Sequence, residues 1–78
     1  MATQKQIKVA WYVNEYTKEN GYAPTTQEVA DYLEIAYNAA NNRIRGAVKA
    51  GLLTKAPKIS RSLRITELGR DEAARMMK

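Results

Sequence analysis

A chain of 78 residues can bury one small hydrophobic core and little more. It has no cysteine and no histidine, which removes disulfides, thiolate metal sites and the commonest zinc ligand and general base. No apolar run approaches the roughly 18 residues of a membrane span, and Met1 to Lys8 lacks the basic-then-apolar layout of a secretion signal. The expectation is one cytoplasmic domain over residues 1–78, not an enzyme, with no cofactor and no membrane contact.

The formal net charge of +5 is unevenly spread. Residues 1–42 carry three basic and five acidic side chains, a balance of −2, whereas residues 43–78 carry ten basic and three acidic, a balance of +7. From Arg43 to Thr66 there are seven basic residues and no acidic one. One-sided charge over a stretch patterned to fold suits a polyanionic partner.

In chain order, Thr3 to Glu19 reads as a first helix capped by Thr3, and "ENGYAP" reads as its stop. Gly21 suits a left-handed cap and Pro24 cannot continue a helix. Val9, Val13 and Tyr16 form one stripe beside Tyr12, while Ile7 and Trp11 project from the other side. Such a helix needs covering twice, by the last helix or by another subunit. "PTTQEVADYL" opens a second helix with Thr25 as N-cap and Glu28 three residues on, the reciprocal capping-box spacing. Val29, Ala30 and Leu33 form its apolar face. A tight link, Ile35 to Tyr37, leads to a third helix from Asn38 to Ala50, closed by Gly51.

"LLTKA" and "ISRSLRI" read as two strands joined through Pro57 and Lys58, with Ile59, Leu63 and Ile65 on one face of a hairpin spanning 52–65. Arg61 falls on the Ile59 side by alternation, near enough to the loop to reach solvent. Thr66 caps a last helix, Glu67 to Lys78, with Gly69, Ala73, Met76 and Met77 along one side. The four glycines are isolated, so no phosphate-cradling loop or other small-molecule ligand site is evident.

The third helix has two unlike flanks. At 100° per residue, Ala40, Ile44, Ala47 and Val48 fall within about 100° of arc, the width of a core-facing stripe. The opposite flank carries Asn38, Asn42, Arg45 and Lys49, with Ala39 and Gly46 beside them and Asn41 and Arg43 at the edges. Asparagine is a mediocre helix former and an interior glycine costs about 1 kcal/mol relative to alanine. Local stability therefore does not select this surface. Asparagine amides can donate and accept at the major-groove edge of adenine, and arginine can bond guanine twice or hold a phosphate. Small residues let a helix come close. With a capped short helix and tight turn before it and a basic hairpin after it, the order is that of a winged helix-turn-helix. The fold class expected is mainly α (α+β): three helices, a two-stranded β-hairpin wing and a C-terminal helix.

From about Thr3 to Ile65 the chain resembles the DNA-binding domain of the LexA repressor family. The resemblance is carried by "NGYAPTTQEVADYL" and, without a gap, by "NAANNRIRGAVKAGLL". It implies a recognition helix over 38–49 and base-contacting positions at Asn38, Ala39, Asn41 and Asn42. Asn41 and Asn42 stand where that family has an acidic pair, and Ala36 where it has a serine. A different target sequence should follow, since carboxylates favour cytosine and amides favour adenine. The family's protease half has no counterpart in these residues, so no self-cleavage switch is carried over.

The resulting expectation is a small transcriptional regulator, a repressor of bacterial or phage origin, on double-stranded DNA. Asn38, Asn41, Asn42 and Arg45 would read bases. Arg43, Lys49, Lys55, Lys58, Arg61 and Arg64 would hold phosphates, helped by Thr25 and Thr26 at the positive end of the second helix and by Tyr37. Ile7, Trp11, Met76 and Met77 are candidates for contact in a homodimer. Their alternative is intramolecular pairing of the first and last helices. The rival function is a protein-interaction module whose basic face binds an acidic host protein.

Overall fold

The capping signals read from the sequence form at both of the first two helix starts. In the structure, a computed structural model describing residues 3–56 and 58–76, α1 spans Gln4–Asn20. Gln6 N–H donates to Thr3 Oγ1 at 3.2 Å and Thr3 N–H donates to the Gln6 side chain at 3.1 Å, so glutamine completes the box. Gly21 ends α1 at φ 80°, its N–H donating to Thr17 O. The second helix, α2, spans Thr26–Leu33, with Glu28 N–H on Thr25 Oγ1 at 3.1 Å and Thr25 N–H on Glu28 Oε1 at 2.8 Å.

The turn out of α2 is less conventional. Glu34 occupies the left-handed region at φ 57°, where glycine is the usual occupant. Three residues later α3 begins, spanning Tyr37–Lys49, one residue earlier than the sequence pattern suggests. Ala36 at its N-cap offers no side-chain acceptor, so the first amides of α3 have no side-chain partner from the cap residue.

The inward flank of α3 is as expected: Ala40, Ile44 and Ala47 are fully buried and Val48 packs on their edge. They meet Val9, Ala10 and Val13 of α1 and Val29 and Ala30 of α2 in one cluster with Leu52 and Leu53. Several of these residues are alanines, so helix axes can approach closely and the core is thin. α1 is the central element, packing against α3 and against the last helix, α4 (Glu67–Met76).

That pairing settles how α1 is covered on its second side. Ile7 is buried in the common cluster with Ala73, and Met76 packs against it. Ile7 is therefore withdrawn as a homodimer contact, because its apolar surface is spent within the chain. Met77 lies outside the described residues.

After α3, Gly51 turns the chain at φ 84°, and β1 (Leu53–Thr54) pairs antiparallel with β2 (Arg64–Ile65) in the register Leu53 to Ile65 and Thr54 to Arg64. This ladder is much shorter than the expected 52–65 hairpin. Lys58 and Arg61 both adopt left-handed backbone conformations, at φ 63° and 56°, which breaks strand alternation. Ile59, expected on one face with Leu63 and Ile65, is 60% exposed at the wing tip, while Leu63 is buried. The wing is closed instead by a side chain: Ser62 Oγ accepts from Ala56 N–H and donates to Ala56 O, each at 3.1 Å.

Thr66 joins wing, turn and α4. Its N–H donates to Leu52 O at 2.9 Å, its hydroxyl donates to Gly51 O at 2.5 Å, and the same oxygen accepts from Gly69 N–H at 3.0 Å. Gly69 is required there by close approach, since a Cβ would collide with the Leu52 carbonyl oxygen and come within 2.8 Å of Ile65 Cγ1.

Candidate nucleic-acid interface

Burial of one flank of α3 leaves the other as a continuous polar strip. Asn38, Asn42, Arg45 and Lys49 are all exposed and fall within about 60° of arc around the helix. Asn41, Ala39 and Arg43 are half-buried at the margins. Gly46 belongs to a different contact from the one its sequence position suggests. A Cβ there would meet Gln6 Nε2 at 2.8 Å, so its smallness makes room for the capping side chain of α1.

Beside α3 lies a groove between the start of α2 and the wing. It is lined by Thr25, Thr26, Gln27 and Tyr37 on one wall and by Lys55, Lys58 and Ile59 on the other. Tyr37 is 51% exposed at the first position of α3. The amides opening α2 add partial positive charge at one end of this groove. Lys55 and Lys58 add full charges at the other. The chemistry suits a phosphate backbone running past the wing while the strip on α3 faces base edges.

Arg61 departs from its expected role. The sequence assigns it to phosphate, but its guanidinium is turned inward. Nη1 donates to Glu28 Oε1 at 2.8 Å and to Ala23 O at 3.0 Å, and Nη2 reaches Glu28 Oε2 at 3.4 Å. The guanidinium carbon also sits 4.7 Å over the ring of Tyr22, a cation–π arrangement. Tyr16 completes the node, its hydroxyl donating to Glu28 Oε2 at 2.8 Å. The Thr25 amide, the Tyr16 hydroxyl and Arg61 together hold the Glu28 carboxyl down at about 2. Nothing local in the sequence marks this pair, since 33 residues separate the partners.

Arg64 is exposed on β2 but lines another groove, with Asn14, Thr17 and Arg70, apart from Lys55 and Lys58. Trp11, half-buried, lines an acidic, aromatic cleft with Tyr12, Glu15 and Tyr32. Of the expected dimer patch, Ile7 is thus in the core, while Trp11 and Met76 pack against it. The tyrosines beside Trp11 are structural. Tyr12 stacks on Tyr32 with centroids 4.0 Å apart, and burial raises the Tyr12 phenol above its ordinary value. No helix among the described residues is long and apolar enough to cross a membrane.

Known proteins point the same way as this geometry. The model of the LexA DNA binding domain matches residues 2–62. The LexA repressor of Cellvibrio japonicus is 36% identical over 66 residues, and that of Thermosipho melanesiensis 31% over 65, each match covering 83% of this chain and 33% of the repressor. The LexA repressor of Marinobacter nauticus is 33% identical over 70 residues, covering 88% of this chain and 35% of its own length. The chain spans about a third of the length of these relatives. With its four helices and two-stranded wing, it belongs to the LexA DNA binding domain family.

Proposed function

We propose that residues 1–78 act as one winged helix-turn-helix unit that binds double-stranded DNA sequence-specifically in the service of transcriptional regulation, as a repressor. In this reading α3 lies in the major groove, with Asn38, Asn41, Asn42 and Arg45 at base edges and Ala39 allowing close approach. Arg43, Lys49, Lys55 and Lys58 neutralise phosphates, with Thr25, Thr26 and Tyr37 beside them. Arg64 holds a phosphate only if the backbone reaches the far side of the wing.

The observation that carries the reading is the division of α3. Ala40, Ile44 and Ala47 are sealed inside, while Asn38, Asn42, Arg45 and Lys49 remain open to solvent. Amides on an open helix flank add little to stability but match the donor and acceptor pair of adenine. Membership of the LexA DNA binding domain family supports the same conclusion.

One small module buries limited surface on DNA, so tight binding calls for two copies on half-sites about one helical turn apart. Trp11 and Met76 are the described candidates left for that contact.

The test is selection of bound duplexes from a random library by the purified protein. The reading expects an enriched motif containing adenines, repeated as a palindrome if two copies bind. Recovery of DNA with no enriched motif would leave only charge-driven association and contradict base reading.

A further inference from the structure

Among the described residues, Arg61 is the basic wing side chain tied back to the helical body, and its partners, Ala23 and Glu28, lie just before and in the first turn of α2. From these contacts we infer that Arg61 is a positioning residue. By bridging Glu28 and Ala23 it fixes the wing against the start of α2, and so sets where Lys55 and Lys58 meet the DNA backbone. The inference rests on the DNA-binding reading above and concerns which residues make the wing effective.

Three observations carry it. First, the guanidinium already has good partners: two Glu28 oxygens, the Ala23 carbonyl and the Tyr22 ring. A phosphate that drew it away would leave Glu28 without its counter-ion close to the DNA backbone, where the two negative charges repel. Second, Leu63 seats the base of the wing in the core, but the tip beyond it has little else among the described residues to orient it. The wing's ladder has two residue pairs, and the Ser62–Ala56 closure lies wholly within the loop. Third, Arg61 and the lysines border one groove with Thr25, Thr26 and Tyr37, so the width of that groove depends on the bridge.

The bridge also gives the α2 capping residue a second task. Glu28 accepts from Thr25 N–H with Oε1 and from the Tyr16 hydroxyl with Oε2, and holds Arg61 with both oxygens. Glutamine can keep the cap, because a capping box accepts either residue, but it cannot hold the arginine as a charge pair.

Glu28→Gln therefore separates two accounts by sign. Simple electrostatics expects a more cationic protein, with a freed Arg61, to bind DNA more tightly. The positioning role expects weaker binding to every duplex. It also expects the slope of log affinity against log salt to shrink by about one to two, because Lys55 and Lys58 lose registry with phosphates although no cation has been removed. Arg61→Lys should behave likewise, since an ammonium keeps the charge but has no second nitrogen for Glu28 Oε2 and no planar group to lie over the Tyr22 ring.

The experiment is fluorescence anisotropy of labelled duplexes with wild type, Glu28→Gln and Arg61→Lys across a salt series. A parallel NMR reading follows the Arg61 side-chain protons, which the Tyr22 ring should shift upfield in wild type. Loss of that shift in Glu28→Gln, with the reduced salt slope in both variants, is the expected result. Unchanged or tighter binding by either variant, or a shift retained in Glu28→Gln, would overturn the inference alone. Wild-type protein that binds no duplex would overturn the functional reading and this inference with it.

Discussion

The helical body and the wing are joined by different forces. In the body, Ile44 and a set of valines and alanines from three helices exclude water completely, and the polar atoms on view are left for other uses. In the wing, two ladder pairs are supplemented by Ser62 bonding Ala56 and by Arg61 reaching across to Glu28. Apolar burial is non-directional and tolerates small adjustment, whereas a polar bridge holds one geometry and fails when one partner changes. The body should therefore set stability, and the wing should set the placement of charge.

Breaking the body should produce the largest effect. Ile44→Ala empties the centre of α3's inward flank and should cost about 2–5 kcal/mol of unfolding free energy, measured by denaturant titration. Gly69→Ala strikes the seam between α4 and the turn after α3, where a Cβ meets the Leu52 carbonyl. It should cost about 1–3 kcal/mol through forced displacement of backbone. Equal stability to wild type would show that α4 does not pack as described.

Ser62→Ala should cost less, about 1 kcal/mol, because it removes one polar closure in the wing and leaves the core untouched. Amide exchange should speed up in residues 58–63 and remain slow in α3. Glu34→Gly works in the opposite direction. Relief of the left-handed strain at φ 57° should outweigh the added freedom of the unfolded chain, giving up to about 1 kcal/mol of stabilisation.

Acid should expose the smallest difference. The Glu28 carboxyl is held near 2 by the Thr25 amide, the Tyr16 hydroxyl and Arg61, below the ordinary 4.5. A group whose folded value is depressed adds stability that is complete above its unfolded value and is lost as pH falls through the folded one. That contribution should disappear between about pH 4.5 and 2. It will be modest, because a third of the side chain is open to water. Glu28→Gln should flatten the stability profile in this window, and an unchanged acid limb would locate the sensitivity elsewhere.

The same contrast explains what could be read from residues alone. The helices were legible because each declares itself twice, by a cap such as Thr25 with Glu28 and by a stripe such as Ala40, Ile44 and Ala47. The polar flank of α3 was legible as the complement of that stripe. The wing was not, because alternation of apolar residues says nothing about left-handed turns at Lys58 and Arg61, and by itself it sets Ile59 on the face of Leu63 and Ile65. The Arg61–Glu28 bridge and the Gly46–Gln6 contact join distant parts of the chain and leave no local trace. The choice between dimer contact and internal packing at Ile7 depended on where α4 docks, which periodicity leaves open.

The central claim is that the open flank of α3 reads bases, and Asn42→Ala tests it most directly when its affinity is compared on the selected duplex and on random duplex, with Lys58→Ala as reference. Base reading predicts a loss of about 1–3 kcal/mol for Asn42→Ala on the selected site and little on random DNA, while Lys58→Ala weakens both alike. Equal losses for Asn42→Ala on every duplex would contradict it.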